Sequence, residues 1–142
     1  MAMPPVVLLD TNVLVDLVLA RRPWAADAGD LLFALKAGHG RACVAIHTVT
    51  TISYLVERER GRRHARIAVQ RLLDTVEVVP LFDRDLHQAF GSDIADFEDA
   101  LQVMAARSCG AQWIATRNLR DFVHSPIPAL PPALITPLLT EP

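Results

Sequence analysis

Six residues carry oxygen atoms in a pattern that suits metal-assisted hydrolysis of a phosphodiester. Asp10 directly follows the apolar run Val6-Val7-Leu8-Leu9, Asp96 and Asp99 lie three apart, and Thr116, Asn118 and Asp121 fall within one short stretch. Positions three apart on a helix are neighbours, so Asp96 and Asp99 would project from one face. Clustered carboxylates repel one another and favour a cation. Magnesium takes hard oxygen ligands, usually one or two carboxylates plus waters and phosphate oxygens. Two such ions roughly 3.5–4 Å apart would stabilise both the attacking and the leaving oxygen of a phosphodiester. Each acid also has a plainer explanation. Asp10 can cap a following helix, and Asp96 with Asp99 can form a capping pair that the helix dipole favours. The stretch from Thr116 can be an ordinary polar loop anchored by Phe122. Glu98 is expected on a different helix face, in solvent.

These residues must be positioned by the elements between them. Short β-rich apolar runs predict strands at 6–9, 42–46, 76–81, 112–115 and 126–130, the third interrupted late by Pro80. Helical patterns predict helices at 12–19, 23–36, 48–60, 62–74, 83–91 and 96–108, with a final short helix from Pro131 or Pro132. Gly38, Gly40, Gly61 and Gly110 fall at their breaks. Strands alternating with helices imply an α/β fold with a mainly parallel sheet of four to five strands covered on both faces. In such sheets functional groups gather at the carboxyl ends of the strands. Asp10 and Thr116 would each lie just past a strand end.

The rest of the sequence narrows the chemistry. The 142 residues fit one domain over 1–142, and 51% hydrophobic residues argue against disorder. His39, His47, His64, His87 and His124 are scattered, without zinc-ligand spacing. There is no glycine-rich phosphate loop and no G-x-S-x-G elbow. Cys43 and Cys109 sit in apolar settings, as buried free thiols of a reducing compartment would. The start, Met1 to Pro5, lacks the positive region of a signal peptide, and no apolar run is long enough to span a bilayer. A cytoplasmic protein with no membrane partner is expected. The net charge of −2 conceals a run of arginines from Arg58 to Arg71. Arg62, Arg63 and Arg66 could track phosphates there, or form a solvated face. Arg117 and Arg120 flank the acids, where they could contact a scissile region or shield the carboxylates.

Three segments in register, Val7-Leu8-Leu9-Asp10-Thr11-Asn12-Val13-Leu14-Val15-Asp16, Asp96-Phe97-Glu98-Asp99-Ala100-Leu101-Gln102 and Ala115-Thr116-Arg117-Asn118-Leu119-Arg120-Asp121-Phe122, resemble the PIN-domain family, whose bacterial members include VapC-type toxins of toxin–antitoxin pairs. The resemblance implies a three-layer α/β/α sandwich and an RNA-cleaving hydrolase dependent on Mg2+ or Mn2+. It implies metal ligation by Asp10 and Asp99, support from Asp96, and a contribution from Asn118 or Asp121. Thr116 would orient a metal-bound water or the last acid, and Asn12 would brace the site. A cognate antitoxin, inserting a segment over the acids, and a homodimer through the helices from Thr48 to Asp74 are implied as well. One departure stands out. The family usually places a glutamate on the helix after the second strand, and here Thr51 falls at that position, with Thr50 and Ser53 as alternatives. The T-T-x-x-Y pattern is similar to one branch of the family. Fewer carboxylates imply weaker metal binding or a single tight site, for which Asp96 could compensate.

Two other classes remain open. The domain could be a PIN-like module that binds RNA or protein without cutting. It could instead be a phosphoryl-transfer enzyme using Asp10 as nucleophile, although such a site usually wants a nearby lysine, and the only lysine is Lys36.

Overall fold

The protein is described by a computed structural model covering residues 3–142; Met1 and Ala2, part of the start read for a signal sequence, lie outside the described residues. The chain folds as β1 (Val6–Leu9), α1 (Thr11–Val18), α2 (Trp24–Ala34), β2 (Arg41–Ala45), α3 (Ile46–Arg60), α4 (Arg62–Thr75), β3 (Glu77–Val79), α5 (Asp83–Phe90), α6 (Phe97–Cys109), β4 (Trp113–Ala115), β5 (Ala129–Leu130) and α7 (Pro132–Thr140). A π-helical segment, Leu35–His39, extends α2, and a 3-10 turn, Leu119–Phe122, follows β4.

The five strands form one parallel sheet in the order β3-β2-β1-β4-β5. β1 is central and wholly buried, which accounts for its unbroken apolar run. Its side chains alternate between two cores. Val7 and Leu9 pack with Leu14, Leu31, Ile52 and Ile135 on one face. Val6 and Leu8 pack with Leu101, Met104, Ala105 and Phe122 on the other. Helices therefore cover both faces, and the expected α/β/α sandwich is present. Connections leave β1 toward β2 on one side, and β4 lies on the other. The order reverses at the β1–β4 boundary, so a crevice opens beyond the carboxyl ends of these two strands.

Boundaries differ from expectation where proline or a tight strand-to-helix turn intervenes. β3 ends at Val79 because Pro80 has no N–H to extend the ladder, and β5 keeps only Ala129–Leu130 because Pro126 and Pro128 lack theirs. β2 stops at Ala45 and α3 begins at once with Ile46, earlier than the expected Thr48. Two helix breaks need glycine: Gly61 between α3 and α4 and Gly110 after α6 have φ of 89° and 71°.

Candidate functional site

The β1–β4 register builds the centre of the site. Leu9 pairs with Ala115, so the next residues, Asp10 and Thr116, emerge side by side. The Asp10 N–H donates to the Ala115 carbonyl at 2.9 Å, and the Thr116 N–H donates to that of Leu130 at 3.0 Å. Asp10 is only 4% exposed, so its two oxygens must find donors within the protein. Oδ1 accepts from the Thr11 N–H at 2.8 Å, which caps α1. Oδ2 accepts from the Thr116 hydroxyl at 2.7 Å and from the Asn12 side-chain amide at 3.2 Å. Thr116 Oγ1 in turn accepts from the Asn118 N–H at 3.0 Å. Capping and a place at the strand-end crevice are thus the same fact for Asp10. The cap of α1 is Asp10 rather than Thr11 or Asn12.

Asp96 caps α6, its Oδ1 accepting from the Asp99 N–H at 3.0 Å. That places Asp99 in the first turn of α6, facing Asp10. Burial, then the charges of Asp10, Asp96, Asp121 and Glu98, push the Asp99 carboxyl up to about 7. Asp10 is raised too, chiefly by burial and further by Glu98 and Asp121, against the lowering influence of its bonds from Thr116 and Thr11. Five carboxylates from three distant parts of the chain therefore share one field. Among the described residues no three acidic, histidine or cysteine side chains stand close enough together to form a ready-made metal cage. The available donors are hard oxygens, as magnesium or manganese requires.

Glu98 is exposed, as expected, but it does not stand apart from the acids. Its Oε1 accepts from the Thr11 hydroxyl at 3.3 Å and its charge acts on Asp10, Asp99 and His47, so it belongs to the rim of the acidic cluster. Below the rim lies a buried polar triangle that the motif reading missed. The Gln102 amide donates to Thr11 Oγ1 at 3.2 Å and to Thr48 Oγ1 at 3.0 Å, and the two hydroxyls are 3.1 Å apart. It joins α1, α3 and α6 under Asp10. Gln102 and Thr48 stand in otherwise apolar helix faces, and that was the available signal. Where a family glutamate would fall, the Thr50 and Thr51 hydroxyls both bond the His47 carbonyl of their own helix, at 2.8 and 3.1 Å. Neither hydroxyl is directed at the acids. Burial lowers the His47 pKa.

The arginines divide. Arg117 grips Asp16 with two bonds, at 2.5 and 3.0 Å, and lies 4.0 Å over the Trp24 ring. Any phosphate contact by Arg117 must use the atoms this pair leaves over. Arg60 bonds the Leu19 carbonyl at 3.1 Å at the end of α1. Arg62 pairs with Glu57 at 3.4 Å, while Arg63 and Arg66 are exposed. The fifteen residues of α3 span about 22 Å, so this basic run starts a helix length away from Thr48 and the acids. Lys36 lies beside Gly40 and Arg41, at the start of β2 and hence at the opposite end of the sheet from Asp10. A phospho-acceptor role for Asp10 assisted by Lys36 is therefore ruled out by distance along the strands.

A family model described as PIN domain matches residues 6–120. No curated protein sequence matches. Several solved structures share the fold. The Mycobacterium tuberculosis VapC20, described as a sarcin-ricin loop cleaving toxin, superposes with a TM-score of 0.67 at 23% identity, covering 85% of this chain and 95% of that one. A DNA-bound VapBC from Salmonella typhimurium gives 0.69 at 18% identity, covering 92% and 99%. A toxin–antitoxin complex from Klebsiella pneumoniae gives 0.64 at 22%, covering 89% and 97%. At these identities the likeness is one of fold. The family match is independent of it and spans Asp10, Asp96, Asp99 and Thr116, and on that match the chain belongs to the PIN-domain family.

Proposed function

We propose that the protein is a divalent-metal-dependent endoribonuclease, the toxin of a toxin–antitoxin pair. The observation that carries this reading is the convergence of Asp10, at the end of β1, and Asp99, in the first turn of α6, in one acidic field, where burial first and then the neighbouring carboxylates raise the half-buried Asp99 carboxyl to about 7. Such a group gains most from a bound metal. Asp10 and Asp99 would hold Mg2+ or Mn2+, with Asp96, Asn118 and Asp121 around them. The bound ion supplies an activated water and charge neutralisation at the phosphate. The chain's own work is positional. Thr116 and Asn12 fix Oδ2 of Asp10, the Thr11 N–H fixes Oδ1, and Asp96 holds the first turn of α6 so that Asp99 faces the crevice.

The assay is cleavage of a labelled structured RNA with manganese, with EDTA and Asp99→Asn as controls. Cutting that needs both the metal and Asp99 supports the reading. Binding without cutting would instead identify a non-catalytic module, and no interaction with RNA would reject both.

An antitoxin partner belongs to the same reading, supported by structural neighbours that are VapBC complexes. A cleft of about 720 Å3, lined by Leu17, Leu32 and Ile67 together with Lys36, Arg60, Arg71 and Asp74, is a surface that could take an amphipathic segment of such a partner. A homodimer would use the outer side of α3 and α4, where Tyr54 and Leu73 are exposed. Loss of dimer in Tyr54→Glu by sedimentation equilibrium would support that interface. No described helix is long and apolar enough to cross a membrane, and a cytoplasmic location fits the proposed substrate.

A further inference from the structure

A second reactive centre lies at the other end of α6. Cys43, in the middle of β2 and 1% exposed, stands next to Cys109, the half-buried last residue of α6. Both sit in or against the apolar core between the sheet and α6. Cys43 Sγ is also 3.7 Å from Glu77 Oε2, a carboxylate held by Arg41 through bonds of 3.0 and 2.8 Å. Cys109 donates its S–H to the Ala106 carbonyl at 3.6 Å. The two thiols thus differ. One is enclosed with its S–H facing a carboxylate, and the other is half-buried and reachable from solvent.

We propose that Cys43 and Cys109 are an oxidisable dithiol, in which Cys109 reacts first with a hydroperoxide and Cys43 resolves the product into a disulfide joining β2 to α6. The Cys109 thiolate attacks one peroxide oxygen, the O–O bond breaks, and hydroxide leaves, giving the sulfenic acid. Cys43 gives its proton toward Glu77 and attacks the Cys109 sulfur, and the sulfenic oxygen leaves as water. Two thiols are oxidised by two electrons and one peroxide is reduced to two waters. The donors around Cys109, first the Cys43 thiol and then backbone N–H groups, lower its pKa to about 7 against the effect of burial. The carboxyl end of α6 works in the opposite direction, against a thiolate. Cys43 is pushed well up by the same contact and by burial, as suits a resolving thiol that stays protonated until the sulfenic acid forms. The thirteen residues of α6 put this pair about 20 Å from the Asp96 end, so the inference does not depend on the nuclease reading.

The test treats the reduced, full-length protein with hydrogen peroxide and follows intact mass and peptide maps. The expected product has lost two hydrogens, yields a Cys43–Cys109 cross-linked peptide, returns to the dithiol with dithiothreitol and melts at a higher temperature. Cys43→Ala, a small apolar replacement whose folding is checked by circular dichroism, should accumulate a dimedone-trapped sulfenic acid on Cys109. Cys109→Ser should leave Cys43 unmodified. Cys109 untouched at peroxide doses that oxidise free cysteine would overturn the proposal, and so would a Cys109–Cys109 bond between chains as the only product. Oxidation of wild type serves as the control should a variant misfold.

Discussion

The Thr116 hydroxyl donates to Asp10 Oδ2 across 2.7 Å, linking residues 106 positions apart through the register of adjacent strands. This bond lowers the Asp10 pKa against burial, and it fixes which lone pairs of Oδ2 remain for a cation. Thr116→Val keeps the shape and removes the donor. It should destabilise the fold by about 1–3 kcal/mol, because a buried carboxylate loses a partner, and should weaken manganese binding. Thr116→Ser should restore both. Urea denaturation and calorimetric manganese titration check this, and a Val variant equal to wild type in both would refute it.

Asp99 ties stability to pH. Its folded-state pKa of about 7 exceeds its ordinary value of 3.8, so the folded protein holds that proton more tightly than the unfolded chain does. The resulting stability is fully present below about pH 4 and is lost as pH rises through about 7. Without metal, Asp99→Asn should therefore be more stable than wild type at pH 8, by about 1–2 kcal/mol after discounting for the carboxyl's partial exposure. The difference should shrink toward pH 4. Parallel stability curves for the two proteins between pH 4 and 8 would contradict the shift, and added manganese should favour wild type only.

Arg117 and Asp16 form the best-buried ion pair of the described residues, with the Asp16 side chain 1% exposed. Arg117→Met strands that charge and should cost about 2–4 kcal/mol of stability. Asp16→Leu together with Arg117→Met should recover most of the loss. Thermal melts of the two variants decide, and a double variant no better than the single one would show that Asp16 is not the reason.

The arginines of α4 give a separable prediction about RNA. Arg62→Glu, Arg63→Glu and Arg66→Glu combined should weaken binding and flatten its salt dependence. The logarithmic slope should fall by about 0.7 for every phosphate that the protein no longer neutralises. Filter binding across a salt series measures both. Unchanged affinity and slope would make this run a solvated face.

How much of this could be read from the sequence follows from what each feature depends on. Asp10 and Thr116 were legible because an apolar run ending in a polar residue marks a strand end, and strand ends gather function in parallel sheets. Asp96 and Asp99 were legible as a pair because helical spacing is local. The contact of exposed Glu98 with Thr11 was not legible because Thr11 arrives from another helix, and spacing along α6 carries no information about that neighbour. The triangle of Thr11, Thr48 and Gln102 was missed for the same reason. The Arg117–Asp16 pair and the approach of Cys43 to Cys109 depend on how layers stack. No local pattern encodes either.

The strand order has a temporal consequence. β1 leaves the ribosome early, yet its partner on one side, β4, is made only after α6 is complete. Until residue 116 has emerged, Asp10 lacks its hydroxyl donor and the crevice has only one wall. The acids meet through contacts of long sequence separation, which form late and slowly during folding. A nascent or truncated chain ending before β4 therefore cannot assemble the centre. On the proposed function, a cell would be exposed to the ribonuclease activity only once synthesis of the domain was nearly finished.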